Sequence, residues 1–255
     1  MKADYRRSYD ESLGRDLGMG AVRSALSRLL RSQDLAGWST REENGRLDRR
    51  AFKRLAMGEA SVFSRRQYKE AEKSAVSVLV DCSGSMQNYG RIETAQDVVI
   101  HLSQLLDRAK VSFTVNGFRT SYSDGTLSMT QEEWMLIPFK PWGMPFRKAS
   151  LRLGAMQYMA KNSTPDYQAL YYSVEQLTLR PESRRILFVI TDAAGYNKAE
   201  IQLIHDLAAK NNIKVIAVGI NASDSLQDVF PLSANVSATD LAGATFKTLL
   251  KGVKQ

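Results

Sequence analysis

From Ala75 onward, short apolar runs alternate with stretches whose apolar residues recur at helical spacing. Val76–Val80 predicts a strand. Ile92, Ala95, Val99, Leu102 and Leu106 then fall on one face of a predicted helix. Val111–Phe118 predicts a second strand, with an extended piece near Met135–Phe139 pairing beside it. Helical segments follow around Lys148–Ala160 and Tyr167–Leu177. Ile186–Ile190 is apolar without alternation, as expected of a strand covered on both faces. A helix over Lys198–Asn211, a strand over Val215–Ile220 and a helix from Asp240 to about Val253 complete the series. This order calls for an α/β fold with a doubly wound, mostly parallel sheet flanked by helices. In such a sheet the ligand site lies at the carboxyl ends of the strands.

Residues 1–74 have a different character and predict a small helical and hairpin elaboration packed on the main domain, residues 75–255. Residues 1–18 suggest an arm or an early helix. Val22, Ala25, Leu26, Leu29 and Leu30 give a helical stripe over Ala21–Arg31. Residues 37–40 and 44–48 suggest a hairpin, Asp48–Met57 a helix ending at Gly58, and Ser61–Phe63 a short strand. These 74 residues hold 17 Lys and Arg against 11 Asp and Glu, so most of the formal charge of +8 lies there. A basic face can meet nucleic acid or an acidic protein. Without aromatic interleaving or zinc-finger spacing, the expectation is a solvated face with no nucleic-acid role. No segment approaches the roughly 20 apolar residues of a membrane span. No apolar signal core follows the first residues, and Cys82 is the only cysteine. A cytoplasmic protein without a disulfide framework or thiolate zinc site is therefore expected.

The chemistry concentrates where the first main strand ends, at Asp81-Cys82-Ser83-Gly84-Ser85-Met86. One carboxylate and two hydroxyls at alternate positions are hard-oxygen donors for a small divalent cation such as Mg²⁺. A site built mainly of hydroxyls is under-charged, so it can accept an acidic ligand from another molecule. Two other loops should converge on it. Ile186–Thr191 ends in Asp192, and Asn162-Ser163-Thr164-Pro165-Asp166 offers a hydroxyl at Thr164 and a carboxylate at Asp166.

Three features in this order resemble the von Willebrand factor A (VWA) domain. They are Asp-x-Ser-Gly-Ser after an apolar strand, Thr164 followed by Ala169-Leu170, and an aspartate after a later apolar strand. The resemblance implies a metal-ion-dependent adhesion site (MIDAS). In it Ser83, Ser85 and Thr164 would offer hydroxyls to Mg²⁺, with Mn²⁺ or Ca²⁺ as alternatives. Asp81 and Asp192 would act largely through metal-bound waters and by orienting those hydroxyls. A partner's acidic side chain would fill the open position, and Asp166 would be an outer carboxylate. The chain departs from the usual family pattern in having Asn162-Ser163 before the threonine and Ala193 after the last aspartate, where glycines are common.

A narrower resemblance runs from about Val22 to Val253. Arg28-Leu29-Leu30, Gly45-Arg46-Leu47-Asp48, Val62-Phe63-Ser64-Arg65-Arg66 and Val78-Leu79-Val80-Asp81 are similar to the carboxyl-terminal part of the CobT family of cobaltochelatase subunits. So are residues 145–149, Asp166-Tyr167-Gln168-Ala169-Leu170, 184–187 and 217–220. This implies a non-catalytic subunit working with a ring-forming AAA+ ATPase of the CobS or MoxR type, joined through an acidic residue at the metal, with a further protein target. The chain has no Gly-x-x-x-x-Gly-Lys-Ser/Thr loop of its own. The alternative is a stand-alone, adhesion-type binding module with no ATPase.

Hydrolytic readings fare worse. Ser83 and Ser85 lack a Gly-x-Ser-x-Gly elbow, and His101 and His205 both fall on predicted helices away from strand ends. An aspartyl phosphatase would want Asp-x-Asp, where Ser83 stands. Cys82 is expected to behave as a small apolar core residue. Core filling is likewise expected of Trp134, Phe139, Trp142 and Phe146.

Overall fold

The computed structural model describes residues 2–15, 38–58, 61–66, 74–122, 132–194, 196–222 and 226–236. Its contacts divide the chain into two units, Arg31–Glu72 and the combination of Met1–Leu30 with Lys73–Gln255. The expected helices over 21–31 and 240–253 lie outside the described residues.

Helix α1 (Lys2–Gly14) belongs to the larger unit. The pairs Arg6–Asp10 and Arg7–Glu11 sit one turn apart on its exposed side. Ser8, Tyr9 and Ser12 are buried on the other. The smaller unit contains β1 (Trp38–Glu42), β2 (Arg46–Leu47), α2 (Phe52–Ala56) and β3 (Phe63–Arg66). Here the expected hairpin is replaced by a three-stranded antiparallel sheet in the order β1-β3-β2. Ser64 pairs with Thr40 on one edge and with Arg46 on the other. A two-residue strand such as β2 forms too short a ladder to hold a hairpin, and β3 supplies the pairing for both neighbours.

The larger unit continues with β4 (Ser74–Asp81), α3 (Arg91–Arg108), β5 (Ser112–Tyr122), β6 (Glu132–Lys140), α4 (Ser150–Gly154), α5 (Asp166–Thr178), β7 (Arg184–Thr191), α6 (Lys198–Lys210), β8 (Ile213–Ile220), α7 (Leu226–Val229) and β9 (Ser233–Val236). The six strands lie in the order β6-β5-β4-β7-β8-β9. Only the β5–β6 pair is antiparallel. This is the anticipated mostly parallel, Rossmann-like sheet. The short edge elements α7 and β9 were not anticipated.

Alternation along the central strands builds a core on each face. Val76, Val78 and Val80 of β4 join Ile186, Phe188 and Ile190 of β7 under α3. Ala75 and Leu79 join Leu187 and Val189 under α5 and α6. Every residue of β4 is buried. The helical stripe Ile92, Ala95, Val99, Leu102 and Leu106 is buried as well. Within this unit α1 packs on α4 and α3, where Gln96 Nε2 donates to Ser8 Oγ at 2.8 Å and to Ser12 Oγ at 2.9 Å. Parallel register brings the ends of β4 and β7 level, since Val80 pairs with Ile190. The next residues, Asp81 and Thr191, therefore end their strands side by side at the carboxyl end of the sheet.

Candidate functional site

Asp81 is completely buried where β4 ends. Its Oδ1 accepts the Ser83 N–H at 2.9 Å and its Oδ2 accepts the Thr191 hydroxyl at 2.9 Å. Burial pushes this carboxyl up to about 6, with Asp192 acting in the same direction and the Ser83 and Thr191 hydrogen bonds opposing it. Ser83 has extended backbone, and its Oγ lies 3.0 Å from the Ser85 Oγ. Two hydroxyls and a buried carboxylate thus meet within five residues.

The second loop is bound directly to the first. Gly84 N–H donates to the Asn162 carbonyl at 2.7 Å, and Lys161 N–H donates to the Cys82 carbonyl at 2.9 Å. A Cβ at Gly84 would come within 3.1 Å of that Asn162 oxygen, so a glycine suits this approach. On its far side the same loop is fixed to β5. Ser163 N–H donates to Thr120 Oγ1, Thr120 N–H to the Ser163 carbonyl, and Asn162 Nδ2 to the Thr120 carbonyl. Thr164 follows, half-buried, just ahead of α5. Asn162 has φ of +59°, a conformation that glycine and asparagine tolerate best.

The third loop turns through Asp192, which is 3% exposed. Ala194 N–H donates to Asp192 Oδ1 at 3.1 Å, and Ala193 N–H to Thr191 Oγ1 at 3.0 Å. Ala193 has φ of +56°. Both departures from the family's glycine pattern thus include a residue in the left-handed region, and neither prevents the loop from forming.

Two residues here went unnoticed in the sequence. Arg91 opens α3 and donates from Nη1 to Asp192 Oδ2 at 2.8 Å and to the Ser85 carbonyl at 3.3 Å. Its Nη2 reaches the Asn221 carbonyl beyond β8 at 3.3 Å. A cation in the first turn of a helix opposes the helix dipole, and that was the available signal. The Tyr196 hydroxyl is buried, and burial together with Asp81, Asp166 and Asp192 pushes it well above the usual phenol range. No local pattern marks it.

Asp166, at the start of α5, lines an open cleft of about 620 Å³ with Thr120, Glu133, Trp134, Ser163, Thr164, Pro165, Gln168 and Glu200. Burial also raises the Asp166 carboxyl. Trp134 is 43% exposed beside this cleft, so core filling describes Phe139 and Phe146 and fails for Trp134. Trp134 lies on edge strand β6, where its ring meets Tyr172 of α5 at 5.9 Å between centroids and no described strand pairs beyond it. Cys82 is buried in the core and its thiol is driven up strongly by burial, as befits an inert packing residue. His101 and His205 are spent on the carbonyls of Ser12 and Val229.

The donor chemistry fits a hard divalent cation. Asp81, Asp192, Ser83 and Ser85 offer oxygen only, and among the described residues the two carboxylates outnumber the one guanidinium hydrogen-bonded to them. Among the described residues no three His, Cys, Asp or Glu side chains group as a metal centre. A cation here would depend on hydroxyls and on ligands from outside the chain.

The von Willebrand factor type A domain family matches residues 76–235. Among solved structures, the open conformation of the pilus adhesin SpaC from Lactobacillus rhamnosus GG is similar at 15% identity and TM-score 0.52, over 72% of this chain and 30% of the adhesin. This chain therefore spans under a third of the adhesin's length. Manganese-loaded TRAP protein from Plasmodium vivax is similar at 16% identity and TM-score 0.52, over 71% of this chain and 73% of TRAP. The conserved hypothetical protein BatB from Bacteroides thetaiotaomicron is similar at 15% identity and TM-score 0.50, over 71% of this chain and all of BatB. At these identities the likeness is one of fold.

Proposed function

Since the chain belongs to the von Willebrand factor type A domain family, we propose that its strand-end loops form a MIDAS that captures an acidic side chain of a protein partner. Ser83, Ser85 and Thr164 would hold Mg²⁺, with Mn²⁺ or Ca²⁺ as alternatives, while Asp81 and Asp192 orient those hydroxyls and metal-bound waters. When bound, the ion supplies a positive centre with a coordination position for an outside carboxylate. The observation that carries this reading is the Ser83–Ser85 hydroxyl pair, 3.0 Å apart, beside the buried Asp81 and tied through Gly84 to the Thr164 loop. The chain's own residues do the rest. Thr191 holds Asp81, Asn162 fixes the approach of the Thr164 loop, and β4 and β7 bring the parts level.

The partner we propose is an AAA+ ATPase of the CobS or MoxR type, with this chain as a non-catalytic, CobT-like subunit that couples nucleotide-driven motion to a further protein target. The sequence likeness to CobT over residues 28–30, 45–48, 62–66 and 145–149 supports it. The exposed cleft beside Thr164, with Trp134 on its wall, favours a second reading as a stand-alone binding module. Coexpression with a CobS- or MoxR-type ATPase from the same genome, followed by pull-down with and without EDTA, separates the two. Retention in Mg²⁺, with loss in EDTA and in Asp81→Ala and Ser83→Ala, is expected. Normal retention of both variants would rule out the metal-mediated contact.

A further inference from the structure

Arg91 puts a fixed positive charge where a cation is proposed to bind. Its guanidinium is one-fifth exposed and sits on Asp192, which is 1% exposed in its side chain. The other Asp192 oxygen is held by the Ala194 N–H. Arg91 Nε is buried without a hydrogen-bond partner. The two carbonyls it does reach, of Ser85 and Asn221, lie at 3.3 Å. With the exposed Tyr89 ring 5.7 Å away, the guanidinium is held chiefly by one carboxylate, against the dipole of the helix it begins.

The charge balance has a direct consequence. Among these three groups, Asp81 and Asp192 ionised beside Arg91 leave one net negative charge, and a divalent cation turns that into one net positive charge. Without Arg91 the loaded site carries one positive charge fewer, whatever Asp166 adds. We propose, building on the metal site above, that Arg91 is a built-in counter-charge that weakens cation binding and strengthens capture of a partner's carboxylate. It is a positioning and charge-setting residue that exchanges metal affinity for anion affinity. A purely structural role, bridging Ser85 and Asn221, would weaken both.

Mn²⁺ titration of the full chain at neutral pH, followed by electron paramagnetic resonance, tests this in wild type, Arg91→Met and Arg91→Lys. Removing a unit charge beside a largely buried carboxylate should tighten Mn²⁺ binding by about tenfold. Arg91→Lys should stay within about twofold of wild type. Acetate serves as the carboxylate probe, its affinity for the Mn²⁺-loaded protein read from paramagnetic broadening of its methyl signal. Arg91→Met should weaken acetate binding by about tenfold. Equal or weaker Mn²⁺ binding by Arg91→Met, with wild type binding normally, overturns the counter-charge role alone. Absence of Mn²⁺ binding in the wild type overturns the metal site and this proposal together. If Arg91→Met fails to fold by circular dichroism, Arg91→Gln makes the same charge change and carries the same outcomes.

Discussion

Helix α1 precedes the family match at residue 76, yet it is wedged into the same unit, and Gly154→Ala tests how firmly. A Cβ at Gly154 would stand 1.9 Å from the Tyr5 carbonyl oxygen, 2.9 Å from its carbon and 3.1 Å from the Tyr9 Cβ. The first two of these are backbone atoms, so no rotamer change relieves the clash. To regain ordinary contact, α1 must retreat by about 1.5 Å, an overpacking cost of about 1–3 kcal/mol. Such a shift also strains the Gln96 bonds to Ser8 and Ser12, now 2.8 and 2.9 Å, at about 1 kcal/mol each if lost. The expected total is about 3 kcal/mol if the helix gives easily and about 5 kcal/mol if it does not. Urea denaturation should show this loss, and amide exchange should show residues 2–14 losing protection. Gly14→Ala, also in α1 but where an added Cβ meets nothing within 4 Å, is the control and should keep or raise stability, by up to about 1 kcal/mol. Full stability and protection in Gly154→Ala would refute the docking of α1 against α4.

Lys140 is 4% exposed, its ammonium lying 3.8 Å from the Phe113 ring centroid and donating to the Phe113 carbonyl. Burial lowers its pKa to about 8, with Asp107 opposing. Between about 8 and the ordinary 10.5 the unfolded chain binds the extra proton, so stability should rise with pH across that window by about 3 kcal/mol. Urea midpoints should show that rise in wild type and its loss in Lys140→Met, and identical pH profiles would contradict it. At Ala193, whose φ is +56° and whose methyl is buried, strain and burial nearly offset. Ala193→Gly should change the unfolding free energy by less than about 1 kcal/mol, whereas Ala193→Val should cost more than about 2 kcal/mol. Equal losses in thermal unfolding would sink that explanation.

The central strands and main helices were readable because β4 and β7 are covered on both faces, and α3 keeps one apolar stripe across about four turns. The meeting of Asp81 and the Thr191–Asp192 turn at the carboxyl end of the sheet follows from parallel register, which those runs already implied. Short elements escaped notice. β9 is four residues at the sheet edge, and β3 reads locally as an isolated strand although it pairs on both sides. Trp134 looked like core because its residue type favours burial, while edge position decided otherwise. Apart from its place in the first turn of a helix, Arg91 reads like any surface arginine, since its meaning comes from Asp192, about a hundred positions away along the chain. Tyr196 is similar, because three carboxylates from three separate loops define its surroundings.

Anomalous diffraction from crystals of the full chain grown in Mn²⁺ tests the metal site most directly. One manganese peak is expected in contact with oxygens of Ser83, Ser85 and Thr164, with Asp81 and Asp192 within reach of its bound waters. A map with no peak between these loops, or with Thr164 turned away from an ion held elsewhere, would contradict it.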